Sequence, residues 1–169
     1  KAIVAVHWAG RMCNMIELNR ISKKYKLTLI EDAAQAIGSS FNKIKPGELS
    51  DIATFSAHPL KILNAIGDAG YLTTNSKKIF DKVKLYRNHG LYKRDDVRIF
   101  GVNSRLDSLN AEILSFRLKK INKIIQRREN NINLYRNFLK NCEEIQLPFF
   151  ESYEKSSHTL FISRAKKRN

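Results

Sequence analysis

Leu27-Thr28-Leu29-Ile30-Glu31-Asp32-Ala33-Ala34-Gln35-Ala36 is the stretch on which the fold turns. Its apolar run, Leu27 to Ile30, reads as a buried strand, and the strand runs into an acid. Upstream, Val4 to His7 reads as another strand, followed by a Trp8-Ala9-Gly10 turn. Between the two, Cys13 to Tyr25 carries helical spacing, with Met15, Leu18, Ile21 and Tyr25 near one face and Asn14 placed to cap it. Strand, helix and strand in this order predict a βαβ unit with parallel strands. Downstream, Ala33 to Ile37 is predicted as a short helix and Phe41 to Leu49, with Pro46-Gly47, as a turn-containing loop. Ile52 to Ser56 follows as a third short strand.

Asp32 and Ser56 therefore stand at strand ends, where open α/β sheets place their ligands. Phe55-Ser56-Ala57-His58-Pro59-Leu60-Lys61 sets a lysine five residues past that hydroxyl, ahead of Gly67-Asp68-Ala69-Gly70. An acid, a hydroxyl and an amine are the groups that pyridoxal 5'-phosphate (PLP) requires. The amine holds the aldehyde, the carboxylate faces the ring nitrogen, and donors take the phosphate.

Beyond this loop, Tyr71 to Thr74 reads as a strand and Ile79 to Tyr86 as an amphipathic helix with Ser76 as its cap. Arg87-Asn88-His89-Gly90 opens a polar, charged loop. Leu106 to Leu139 is predicted as largely helical, with Leu114, Leu118, Ile121, Ile125, Ile132, Tyr135 and Leu139 forming a continuous buried stripe. A helix of that length commonly joins a large domain to a smaller one. Pro148 marks its exit, and Thr159 to Ser163 reads as the first strand of the second unit. The chain opens inside a strand-like run and stops just after another, so it reads as an internal piece of a longer polypeptide.

The chain has 169 residues, 43% of them hydrophobic, enough for one sizeable core. Cys13 and Cys142 form no CxxC motif and are expected to be reduced and structural. The four histidines lack metal-ligand spacing, so no metal is expected. No signal peptide and no apolar stretch of about 18 residues is visible, which argues against secretion and membrane spanning and for a cytoplasmic setting. The net charge of +15 raises the question of nucleic acid. From Arg117 to Lys140 there are eight Lys or Arg against Glu129 alone. These charges follow a helix face with no aromatic stacking pattern among them, which is how a solvated face looks.

The run from Glu31 to Gly70, with Arg87-Asn88-His89-Gly90 and Gly101-Val102-Asn103-Ser104-Arg105-Leu106-Asp107, resembles the DegT/DnrJ/StrS family of sugar aminotransferases. These are α/β proteins with the fold-type I architecture of PLP-dependent transferases. The likeness extends from His7-Trp8-Ala9-Gly10 to His158. It implies part of the large sheet-containing domain with its long connecting helix over 1–141, and the start of the small C-terminal domain over 142–169.

Carried across residue by residue, the resemblance implies that Lys61 is the catalytic residue, holding the cofactor and then shuttling a proton. It implies that Asp32 partners the pyridine nitrogen, that Gln35 contacts the ring and its phenolic oxygen, and that Ser56 binds the phosphate. Asn103 is expected to reach across a homodimer to the other subunit's cofactor phosphate, giving a shared active site. Its alternative is to cap the helix beginning near Leu106. Arg105 and Asp107 are expected to be structural, paired with each other, and Trp8 and Tyr86 to pack. His7, His89 and His158 stand open between substrate contact and satisfied structural histidine. Ala69-Gly70 stands where two glycines are usual, Ala57 replaces an aromatic, and Leu60 replaces a small hydroxyl residue.

The activity so implied moves an amino group from an amino acid, L-glutamate, to a keto group on a nucleotide-linked sugar, in amino-sugar and polysaccharide biosynthesis. Lys61 argues against the family's dehydratase branch, which carries histidine at that place. Val102 to Asp107 looks like the subgroup that makes 3-amino sugars. From a different class, the basic composition leaves a non-catalytic helical protein that binds nucleic acid.

Overall fold

The computed structural model describes residues 1–166. The chain begins with β1 (Ala2–Val6), a short 3-10 turn (Trp8–Gly10), α1 (Met15–Tyr25) and β2 (Thr28–Asp32). β1 and β2 pair in parallel, Val6 opposite Asp32, as the βαβ reading requires. Asn14 caps α1, its side chain accepting from the Glu17 N–H at 3.2 Å. After β3 (Ser40–Phe41) come β4 (Ile52–Ser56), parallel to β2, and β5 (Gly70–Thr73), antiparallel to β4. The resulting four-stranded sheet has the order β1-β2-β4-β5. α1 covers one face through Met15, which packs with Ala5, Met12, Leu29 and Phe41.

α2 (Lys77–Tyr86) is capped by Ser76 and leads into a small hairpin, β6 (Leu91–Lys93) with β7 (Asp96–Val97). The remaining elements are α3 (Ser108–Leu118), α4 (Ile121–Leu139), β8 (Ile145–Gln146), β9 (Glu154–Lys155) and β10 (Arg164–Ala165). β9 returns to pair with β3, and β10 pairs with β8.

Four expectations about these elements change. Residues 33 to 37 form two successive turns instead of a helix, closed by Ala36 N–H to Ala33 O and Ser39 N–H to Ala36 O. The Asp32 side chain accepts from the Ala34 N–H and draws the chain into an Asx turn, competing with helix formation. The single long helix is two helices, broken at Lys119-Lys120. Its apolar stripe is also interrupted, because Leu118 and Tyr135 are exposed while Leu114, Ile125 and Ile132 are buried. Each half packs on a different part of the molecule: Leu114 lies on the lysine loop, and Ile125 Cδ1 fills the space beside Gly38. Finally, residues 159 to 163 form no strand; the pairing starts one residue later, at Arg164. Residues 167–169 of the second expected unit lie outside the described residues. Among the described residues, no helix is long and apolar enough to cross a membrane.

Candidate active site

The three parallel strands end at one edge of the sheet. There the His7 N–H donates to Asp32 O at 3.0 Å and the Ala33 N–H donates to Thr54 O at 2.9 Å. β5 enters from the same edge, with Gly70 opposite Ser56. Lys61 lies in the loop 57–69 between these two residues, so Asp32, Ser56 and the lysine loop share one edge. Ala33 and Ala57 are fully buried there, and side chains this small let strand ends and loop approach closely.

Asp32 is half-buried. Its Oδ1 accepts from the Ala34 N–H at 3.1 Å, and Oδ2 has no partner among the described residues. Ser56 Oγ accepts from the His58 N–H at 3.3 Å, which leaves its own proton to donate. Gln35 sits in the turn after Asp32. Its Oε1 accepts from the Ala9 N–H at 2.6 Å, so its amide nitrogen is the group left for a ligand. Asn103 is placed differently. It is exposed, forms a β-bridge with Asn88, and accepts from Arg105 Nε at 3.1 Å. These contacts tie it to Asn88 and Arg105, with none to the Asp32 edge.

The lysine loop is held by side chains that sequence reading passed over. The Lys61 N–H donates to His58 O and the Ala65 N–H to Ala57 O, both at 2.8 Å. Leu63 and Ala65 pack on Leu114 of α3. Asn110, at the start of α3, accepts from the Ile66 N–H at 2.9 Å. Arg117 donates to the Asn64 carbonyl at 2.5 Å and to its Oδ1 at 2.6 Å, while Asn64 Nδ2 donates to Pro59 O at 2.7 Å. The loop is thus clasped at both ends of α3. Leu60 points out at 81% exposure, whereas Ala57 lies where a larger side chain would have to displace Leu63 or Leu114.

Beneath the edge lies a second network. Glu31 is fully buried on the core side of β2, beside Leu29. Its carboxylate accepts from His7 Nε2 at 2.6 Å, Ser50 Oγ at 2.5 Å and the Gly47 N–H at 2.8 Å. The Cys13 N–H points at His7 Nδ1 at 3.2 Å, which makes that nitrogen an acceptor and puts the ring proton on Nε2. Burial would raise the Glu31 pKa, but the donors from His7, Ser50 and Gly47 outweigh it and hold the carboxyl below its ordinary value. A charged residue on the buried parity of a strand demands such partners, and this was the signal available in the sequence.

Other side-chain expectations resolve one by one. His158 is also a satisfied histidine, 2.5 Å from Glu129 Oε2. His89 is exposed, with a positive φ of 58°, and is followed by Gly90, where a Cβ would lie 1.7 Å from Ile99 O. Trp8 and Tyr86 do not pack: they are 63% and 49% exposed. Arg105 and Asp107 are not paired. Arg105 bonds Asn103 and Asn88, and Asp107 caps α3 by accepting from the Asn110 N–H at 2.7 Å, the role considered for Asn103.

A carboxylate with a free oxygen, a hydroxyl with a free proton and a lysine on a pinned loop, all at one sheet edge, fit the donor set that PLP needs. The comparisons identify the family and the fold. The sequence model of the DegT/DnrJ/EryC1/StrS aminotransferase family matches residues 1–169. The dTDP-3-amino-3,6-dideoxy-alpha-D-galactopyranose transaminase of Aneurinibacillus thermoaerophilus is 41% identical over 168 residues, covering 99% of this chain and 46% of that protein. DesV of S. venezuelae superposes with a TM-score of 0.94 at 30% identity, over 99% of this chain and 45% of its own. NtdA of Bacillus subtilis, solved with bound cofactor PMP, gives a TM-score of 0.87 at 30% identity, over 98% and 38%. The chain belongs to the DegT/DnrJ/EryC1/StrS aminotransferase family, and its α/β fold is that of the fold-type I PLP-dependent transferases. It spans about half the length of the relatives it matches.

Proposed function

We propose that the protein is a PLP-dependent aminotransferase that moves an amino group from L-glutamate to a nucleotide-linked keto-sugar. The observation that carries this reading is the pinned loop that sets Lys61 between Ser56 and Gly70, on the edge where Asp32 ends β2. When bound, PLP supplies an electron sink for the negative charge that forms at the reacting carbon. Lys61 would hold the cofactor and move a proton to and from the substrate carbon. Asp32, whose Oδ1 alone is engaged among the described residues, would keep the ring nitrogen protonated. Ser56 would donate to the phosphate, and the Gln35 amide to the ring's phenolic oxygen.

Asn103 is assigned to the other subunit's cofactor phosphate, which makes the working unit a homodimer with shared sites. An exposed asparagine oriented by Arg105 and Asn88 suits that role. The net charge of +15 favours a dianionic nucleotide sugar. The relative named for a 3-amino-3,6-dideoxy sugar supports the sugar class and agrees with the Val102–Asp107 resemblance. The setting is the cytoplasm, and the pathway is amino-sugar synthesis for polysaccharide. Residues 1–141 are assigned to the large domain and 142–169 to the start of the small one.

Borohydride reduction of the complete polypeptide in the presence of PLP, followed by peptide mapping, tests the reading. A phosphopyridoxyl group on Lys61 is the expected result. A colourless protein with no labelled lysine would overturn it.

A further inference from the structure

We propose that Trp8 determines sugar specificity: its indole forms one wall of a small pocket that receives the pyranose ring of the keto-sugar by its 6-deoxy, methyl-bearing side. The inference rests on the aminotransferase reading and extends it to a residue expected only to pack. Trp8 stands just beyond β1, two residues past Val6, the partner of Asp32 in the sheet register. It is 63% exposed, although a tryptophan at a strand end has apolar surface to bury within reach. The next residue, Ala9, holds a left-handed conformation at φ 59°, a backbone state that alanine adopts at a cost. That turn is fixed to the site, since the Ala9 N–H donates to Gln35 Oε1 at 2.6 Å.

The opposite wall is tied to the same glutamine. Thr159 Oγ1 and Ser157 Oγ donate to the Gln35 carbonyl at 2.6 and 2.9 Å. Between the two walls lies a pocket of about 170 Å³ lined by Trp8, Arg11, Phe150, His158, Leu160 and Phe161. Gln35 thus sets the pocket next to the proposed ring contact. Pockets for drug-sized ligands run to about 300–1,000 Å³, so this one has room for a single ring and not for a nucleotide. Its lining is mainly aromatic and aliphatic, with the Arg11 guanidinium drawn to Glu154 and His158 Nε2 to Glu129, which suits a methyl group. The relative from A. thermoaerophilus is named for a 3,6-dideoxy sugar, a hexose with that apolar carbon. A hydrophobic pocket discriminates against an added hydroxyl by about a hundredfold at most, which sets the size of the expected effect.

The experiment uses the complete polypeptide loaded with PLP, as wild type, Trp8→Ala, Trp8→Leu and Trp8→Phe. Each is assayed in the glutamate half-reaction and against dTDP-linked 3-keto-hexoses with and without a 6-hydroxyl. The expected result is an intact glutamate half-reaction and Lys61 labelling in all variants. For Trp8→Ala, KM for the 6-deoxy sugar rises about 10- to 100-fold with kcat changed less, and the preference over the 6-hydroxy sugar collapses. Trp8→Phe restores most of it, and Trp8→Leu gives the same reading if the alanine variant folds poorly. Unchanged KM and preference in both truncated variants would overturn the proposal. So would an equal loss of the glutamate half-reaction and of cofactor, which would mark the indole as structural. Failure of Lys61 labelling in the wild type would instead remove the aminotransferase reading itself.

Discussion

Lys61 is held by the main chain of its loop and by its neighbours' side chains, while its own amine enters no ion pair among the described residues. Lys61→Ala should therefore leave the far-UV circular dichroism of the complete polypeptide unchanged and lower transamination by about 10³-fold or more, since the acid–base work alone is worth 10²–10⁴. Glu31, one residue before Asp32, makes a different prediction. Its pKa is depressed in the folded state, so the unfolded chain takes up the proton first. The stability it contributes is complete above the ordinary value of 4.5 and is lost as pH falls through the lower folded value. His7→Ala removes one donor, which should cost about 1.5–3 kcal/mol near neutrality. It should also move the onset of acid unfolding to higher pH, measured by urea midpoints between pH 3 and 7. An acid-unfolding onset identical to wild type would mean that the pair is not coupled to folding. Asp32, Ser56 and Lys61 are legible in the sequence because strand ends and a short loop fix their relation locally. The His7–Glu31 bond joins residues 24 apart, and no local pattern specifies it.

At the scale of elements, α1, α2 and the three parallel strands follow their apolar periodicity and their caps, and each was legible. The break between α3 and α4 was not, because a two-residue interruption hardly shifts the phase of an apolar stripe. What decides it is tertiary. α3 is committed to the lysine loop through Leu114, Asn110 and Arg117, while α4 turns to Gly38 and His158 through Ile125 and Glu129. On the proposed function, the clasp lets α3 act on the site through the lysine loop. Arg117→Ala should leave the helix folded and lower turnover about 10- to 100-fold, the scale on which a 1 Å displacement of a reacting group is felt. Lys61 labelling should persist but slow. Asn110→Ala should do the same from the other end of the loop, and the double variant should exceed either alone. Wild-type turnover in both single variants would show that the packing of Leu63 and Ala65 suffices to hold the loop.

At the scale of the whole molecule, the sheet is bounded by β1 and β5, and Asn103 lies outside the edge that gathers Asp32, Ser56 and the lysine loop. The pattern around Asn103 marked it as a site residue, and the structure leaves it exposed, bridged to Asn88 and bonded to Arg105. A test that does not depend on seeing the interface is subunit complementation. Lys61→Ala and Asn103→Ala are made in separate preparations of the complete polypeptide, each of low activity, then mixed and allowed to exchange subunits. In a mixed dimer, one site combines the intact Lys61 of one chain with the intact Asn103 of the other, and the second site carries both lesions. With random exchange of a two-fold dimer, about a quarter of wild-type activity should return. If each chain instead completes its own site, every site in the mixture carries one lesion and activity stays at the mean of the two preparations. The separation between those outcomes is wide because, on the proposed function, Lys61→Ala removes the group on which the chemistry depends. On the proposed assignment, loss of Asn103 acts through a partner's phosphate, and its restoration repairs the partner's site.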